Sequence, residues 1–360
     1  AANSTSSVQT GLGSSFTYFW RVYAVTEGNT GNALQGSQAT NAGILCGTYT
    51  VGPTGTYASI TAAITAIQTN GLCGATILEL QPAYVSTVET FPIALTNLPT
   101  TSTNTLTIRP QTGATALSIT SANATGTITI NGGDYVTIDG RPGGSGASQL
   151  TIANTVTTGY ALQFLNNATY NTIRYCTIAG VSTGTSNGVI AFSTSTGLTY
   201  GNSYNTITNC DIRDGATTPL NLIYATGTTT SYNTQNNFNS ITNNNIYNWF
   251  SAASTTAGAG LNIVGGCSDW TITGNSFYQT ATRTFTMTTA TDQGAIFIAS
   301  TTFGYGFNIS NNFIGGTAPS CGGTPMTWTA TTGTPTPRMI RVSTSVGTYN
   351  TISGNTVANI

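Results

Sequence analysis

The chain predicts an all-β solenoid, a parallel β-helix, and three observations carry that prediction. The first is a phrase that returns six times: YNTIRYCTIAG at 170–180, YNTITNCDIRDG at 204–215, FNSITNNNIYNW at 238–249, DWTITGNSFYQT at 269–280, GFNISNNFIGG at 306–316 and YNTISGNTVANI at 349–360. Its leading isoleucines (Ile173, Ile207, Ile241, Ile272, Ile309 and Ile352) are spaced by 34, 34, 31, 37 and 43 residues. At that period each unit buries its apolar face only against its neighbours. The second observation is the set of columns inside the phrase. Five residues after each leader stands another apolar side chain: Ile178, Ile212, Ile246, Phe277, Ile314 and Val357. Two residues after the leader come Tyr175, Asn209, Asn243, Gly274, Asn311 and Gly354, a column dominated by the residues that enter the left-handed region most cheaply, as a sharp bend between two strands requires. The next column holds Cys176, Cys210, Asn244, Asn275, Asn312 and Asn355, and amides stacked about 4.8 Å apart on parallel strands can hydrogen-bond from coil to coil. The third observation is one further strand per repeat: YALQFL, GVIAFS, LNLIYA, GLNIVG, GAIFIA and MIRVST, the first at 160–165 and the last at 339–344. Hairpin turns do not explain in-register columns at such long spacing, which argues against an ordinary β-sandwich.

Taken in order, the chain divides into an N-terminal arm over 1–44, a cap with the first coils over 45–104, and the repeats over 105–360. Residues 1–15 are polar and irregular. Phe16 to Ala24 (FTYFWRVYA) alternates as a strand, EGNTG turns, and NALQGSQAT supplies a weaker second strand. A two-stranded hairpin is marginal alone in water, so Phe16, Tyr18, Trp20 and Val22 form a strand expected to dock on the solenoid or on another chain. From 57 the period changes: Ile60, Ala63, Ile64 and Ile67 fall on one helical face, with Ser59 as the cap and Gly71 as the stop. A solenoid needs such a cover, because its terminal coil exposes apolar side chains and unpaired strand edges. The strand ATILELQ follows, and the coils begin with TLTIRP, TITING, DYVTIDG and QLTIAN.

Two resemblances attach to these stretches. TYFWRVYAVTEGNTG resembles the last two strands of a fibronectin type III domain, over about 25 residues. GTYASITAAITAI and ILELQPAYV, with the NTI phrases, resemble the entrance and coils of the right-handed, pectate-lyase-like parallel β-helix superfamily over roughly residues 45–360. The combination is similar to the β-helical parts of large modular bacterial surface or secreted proteins.

Composition narrows the function. Charged residues are only 5% of the chain, all eight basic residues are arginine, and there is no lysine or histidine. A formal net charge of −1 offers no electrostatic footprint for nucleic acid. No apolar stretch approaches the ~20 residues of a membrane span, and the first residue reads as a processed end or the start of a fragment. Six cysteines in this Thr/Asn/Ser-rich background favour an oxidising, extracellular setting. Cys46 and Cys73, each in a Leu-Cys-Gly context, are the expected disulfide, while Cys176 and Cys210 read equally as buried thiols or a bridge. No cysteine spacing resembles a zinc site, and no metal or other cofactor is expected.

The best constellation for chemistry is Asp211-Ile-Arg213-Asp214 with Arg174 one coil earlier. Two carboxylates on one groove could act as an acid/base pair or hold calcium; the competing reading is a solvated, salt-bridged bend. Asp139-Gly-Arg141 reads as a turn. Neither cluster matches the catalytic motifs of pectinesterases, pectate lyases or polygalacturonases. Tyr200, Tyr204, Tyr232, Tyr247, Trp249, Trp270, Tyr278 and Phe303 fall near loop edges, where exposed rings could stack on sugars. Asn3, Asn123, Asn167 and Asn308 fit the N-glycosylation pattern. The expectation is a non-catalytic, extracellular structural or adhesive module that joins end to end or to neighbouring domains. The alternative is a carbohydrate-binding or polysaccharide-degrading protein acting at Asp211 and Asp214.

Overall fold

Strands of three or four residues per coil, each with an aliphatic residue at its centre, can be stable only as ladders, and ladders are what form. A computed structural model of the chain describes residues 17–23, 25–26, 29–39, 43–195, 197, 199–252, 255–286, 292–331 and 336–360. Three parallel sheets run the length of a β-solenoid. The first sheet carries the leading isoleucines and has ten strands, from Leu45–Val51 and Leu72–Leu80 through Thr206–Thr208 to Thr351–Ser353. The second, of eight strands from Leu117–Ser121 to Thr356–Val357, carries the apolar residue five positions later. The third, of nine strands from Ile93–Thr96 to Ile340–Thr344, contains the additional strand of each repeat.

The register follows the columns. Ile173 pairs with Ile207, Ile207 with Ile241, Ile241 with Ile272, and Ile272 with Ile309. Every one of these is fully buried. Side chains alternate across each short strand, so Thr206 and Thr208 flank Ile207 on the outer face, where β-branched hydroxyl residues suit a half-wet pleat. The bend column does what its composition demands: Tyr175, Asn209, Asn243, Gly274, Asn311 and Gly354 all have φ between 52° and 69°. Bulky Tyr175 is the costly member of this set, and its ring lies under the Arg141 guanidinium at 3.9 Å.

At the N-terminal end, helix α1 (Ile60–Asn70) buries Ile60, Ala63, Ile64 and Ile67 over the open coil. Ser59 accepts from the Ala62 N–H, and Gly71, at φ 83°, returns its N–H to the Ile67 carbonyl. Sequence reasoning missed a second cap: the Glu89 carboxylate accepts from the Ile60 N–H at 2.6 Å and the Thr61 N–H at 2.8 Å. An anion at the positive end of the helix dipole satisfies two of its orphan donors at once. Cys46 and Cys73 form a disulfide beside this cap, and Cys176, Cys210, Cys267 and Cys321 are free thiols.

The N-terminal hairpin pairs Thr17–Val22 with Leu34–Ala39, antiparallel. Trp20 lies opposite Gly36, whose missing side chain leaves room for the indole, since a β-carbon there would stand 2.4 Å from the ring. Trp20 and Val22 are exposed, Tyr18 is half-buried, and Phe16 lies outside the described residues.

Candidate functional site

The carboxylate constellation does not assemble. Arg174, at the end of its first-sheet strand, places Nε 2.9 Å from Asp139 Oδ2, and Arg141 holds the same carboxylate through Nε and Nη2 at 2.9 and 2.8 Å. Asp139 is 1% exposed. Burial acts to raise its pKa, but the hydrogen bonds from Arg141 and the charges of Arg174 and Arg141 outweigh it and hold the carboxyl below its ordinary value. Asp139-Gly-Arg141, expected as a turn, is therefore also the centre of a two-guanidinium clamp. Asp211 and Asp214 lie on the second sheet, and neither forms an ion pair with Arg174. Asp211 accepts from Asn245 Nδ2 at 2.8 Å, and Asp214 accepts from Asn248 Nδ2 at 3.1 Å. Each carboxylate answers an amide on the next coil, and Arg213 turns back onto the Asp214 carbonyl at 2.9 Å. Among the described residues no group of three or more His, Cys, Asp or Glu side chains is placed to hold a metal ion. No helix among them is long and apolar enough to cross a membrane.

The asparagine column forms an internal ladder. Asn244 donates from its backbone N–H and Nδ2 to Asn275 Oδ1, both at 3.0 Å; Asn275 does the same to Asn312, and Asn312 to Asn355. Each Nδ2 also reaches the leading isoleucine carbonyl of the preceding coil, Ile207, Ile241, Ile272 and Ile309 in turn. At Asn275 and Asn312 both lone pairs and both amide protons are thus used, which is what burying an amide requires. Cys210 and Cys176 continue the column with sulfur: the Cys176 N–H meets Cys210 Sγ at 3.5 Å, and the Cys210 N–H meets Asn244 Oδ1 at 2.9 Å. A second ladder of the same kind, Asn171–Asn205–Asn239, went unread although YNT, YNT and FNS spell it out.

Three of the aromatics expected near loop edges are not at the surface. Trp249 and Trp270 are fully buried, and the Trp270 indole donates to the Asn236 carbonyl at 2.7 Å. Where the loops between leaders leave room inside the coil, a large ring fills it, because apolar area is worth more there than at a loop edge. Tyr278 is also buried and stacks on Tyr247 at 4.7 Å.

The remaining rings make an ordered feature. The residue two before the first outer threonine sits at a second left-handed corner, with φ 53° at Tyr135, 56° at Tyr170, 60° at Tyr204 and 55° at Phe238. Their rings stack in sequence at 5.0, 4.8 and 4.9 Å, nearly parallel. Tyr170 and Tyr204 thus have both faces covered within the stack. Beside it runs a groove of about 440 Å³, lined by Tyr170, Tyr200, Tyr204, Tyr232 and Phe238 and by Asn, Ser and Thr residues. Tyr232 is locked in place: its hydroxyl donates to Asp269 Oδ2 at 2.7 Å, its ring stacks on Tyr305, and burial with the Asp269 contact raises its pKa. Tyr200 is 56% exposed and pairs with no other ring among the described residues. Tyr200, Tyr204 and Tyr232 were candidates from the sequence and Asn167 stood out only as a glycosylation pattern; Tyr170 and the groove were not foreseen, since nothing in a 34-residue period says which loops fold back over a corner.

No protein-family model matches this chain, and no curated protein or solved structure matches it significantly.

Proposed function

We propose that the chain is a non-catalytic, extracellular structural and adhesive module of a bacterial surface or secreted protein, extended by coil-on-coil stacking. The observation that supports stacking is the fate of the two inner columns at the last coil. Ile309 and Ile314 are fully buried, while Ile352 and Val357, which occupy the same columns one coil on, are 52% and 51% exposed. Their strands, Thr351–Ser353 and Thr356–Val357, are edge strands with an open row of backbone groups, and such an edge is a template for another strand. Further coils or a second copy complete it equally well. The disulfide at the cap, in a Thr/Asn/Ser-rich, lysine-free chain, favours an oxidising, extracellular setting. The exposed Phe19, Trp20 and Val22 of the hairpin supply a second apolar surface for the same purpose.

The degradative reading has the weaker support, because Arg174 is engaged with Asp139 and the Asp211 and Asp214 carboxylates each bind an amide. Sedimentation velocity over a range of concentrations tests the proposal. Association is expected for the chain, and its loss in an Ile352→Asp/Val357→Asp variant and on removal of residues 1–40. A monomer at every concentration refutes the joining of separate copies. Release of product from pectin or alginate, abolished by Asp211→Asn or Asp214→Asn, refutes the non-catalytic part.

A further inference from the structure

Resting on the adhesive part of that reading, we propose that the groove beside the aromatic corner is a binding site for a neutral pyranose glycan, with Tyr200 as the stacking platform and the Asn167 side-chain amide as a hydrogen-bond anchor. Three observations converge there. The first concerns ring faces. Tyr170 and Tyr204 each lie between two rings of the stack, Phe238 has one face on Tyr204, and Tyr232 has one against Tyr305, so Tyr200 is the groove ring left without a stacked partner. An open tyrosine face with a polar rim suits the C–H face of a sugar ring, since the apolar area is buried while the hydroxyls at the ring edge keep partners.

The second is an uncommitted amide. Asn167 lines the groove, and its Nδ2 makes no hydrogen bond among the described residues, while its Oδ1 is shut off from solvent. The asparagines of the internal ladder bond their amides from coil to coil, whereas this amide stands outside any ladder. Three neighbouring polar side chains are already committed: Ser203 Oγ donates to the Gln235 carbonyl, Asn237 Nδ2 to the Tyr232 carbonyl, and Thr169 Oγ1 to Asp134. A ligand hydroxyl accepting from Asn167 Nδ2 gives this amide a partner.

The third is charge. No charged residue lines the groove. Two lining residues are hydrogen-bonded to acidic side chains, Thr169 to Asp134 and Tyr232 to Asp269. A uronate would bring its own carboxylate toward these two with no arginine or metal to offset it, whereas a neutral sugar carries no such penalty. The volume falls within the roughly 300–1,000 Å³ of small-molecule sites.

The test is isothermal titration calorimetry of the full chain with cellohexaose, xylohexaose, mannohexaose and maltohexaose, and with hexagalacturonate. At least one neutral hexasaccharide is expected to bind with a Kd below about 1 mM, and hexagalacturonate at least about tenfold more weakly. Tyr200→Ala, at an exposed position, is expected to weaken binding about tenfold. Asn167→Gly, which tolerates the φ of 67° found there, is expected to do the same while circular dichroism stays unchanged. Absence of binding to all four neutral oligosaccharides overturns the proposal, as does binding that either variant leaves unchanged, or equal affinity for hexagalacturonate. Sedimentation of the same samples separates this result from the stacking experiment: loss of either property with the other intact refutes only its own proposal.

Discussion

Replacing Asn275 by leucine probes the internal ladder at its centre. The side chain is fully buried and makes four hydrogen bonds: Oδ1 accepts from the Asn244 N–H and Nδ2, and Nδ2 donates to the Ile241 carbonyl and to Asn312 Oδ1. Leucine has similar volume, so packing changes little. The Asn244 backbone N–H loses its acceptor outright, whereas Asn244 Nδ2 keeps the Ile207 carbonyl and Asn312 Oδ1 keeps the Asn275 N–H. One stranded buried donor costs about 1–3 kcal/mol; weaker losses at the Ile241 carbonyl and the two half-satisfied amides add to it, and the added methyl surface offsets part. The expected net effect is a destabilisation of about 3 kcal/mol. Urea unfolding measures it, with Asn233→Ala in an exposed loop as the control at less than about 0.5 kcal/mol. Because a solenoid unfolds through its nearest-neighbour interfaces, amide hydrogen exchange at Asn244 and Asn275 is the more local readout. A change below about 0.5 kcal/mol, with Asn244 exchange unaltered, would refute the claim that the ladder bonds matter to stability.

The helix cap and the two-arginine clamp are open to the same kind of test. Glu89→Ala removes the acceptor of two helix N–H groups and is expected to destabilise the α1 cap by about 1–2 kcal/mol, seen as faster amide exchange and proteolysis over residues 57–72 while the later coils stay protected. For Asp139, the folded pKa lies below the unfolded one, so the carboxylate contributes stability that is fully present above the unfolded value and disappears as pH falls through the folded value. Asp134 is raised by burial and works in the opposite sense, gaining protons more readily in the folded state. In urea titrations between pH 6 and pH 2, Asp139→Asn is expected to cost stability at pH 6 and to flatten the acid-side decline; an unchanged pH slope in the variant counts against the two-arginine clamp.

What the amino-acid sequence determined by itself is the repeating cross-section. From Tyr170 on, each coil places an apolar residue at the same two inner positions, a left-handed residue at the corner between them and an amide or thiol just after it, so these demands recur in the sequence as columns such as Ile173–Ile207–Ile241 and Asn244–Asn275–Asn312. Helix α1 was legible for a similar reason, since its apolar face, Ser59 cap and Gly71 stop are all local. The tertiary structure decided everything that depends on loops of unequal length. Arg174 turned toward Asp139 rather than toward Asp211, Trp270 entered the coil, Glu89 reached back to a helix 28 residues earlier, and Asn167 was left with an uncommitted amide beside Tyr200. Periodicity specifies which residues stack from coil to coil; it carries no information about how a variable loop returns across a corner. The inner columns are therefore readable from spacing alone, while the groove emerges only when irregular segments of neighbouring coils are packed against one another.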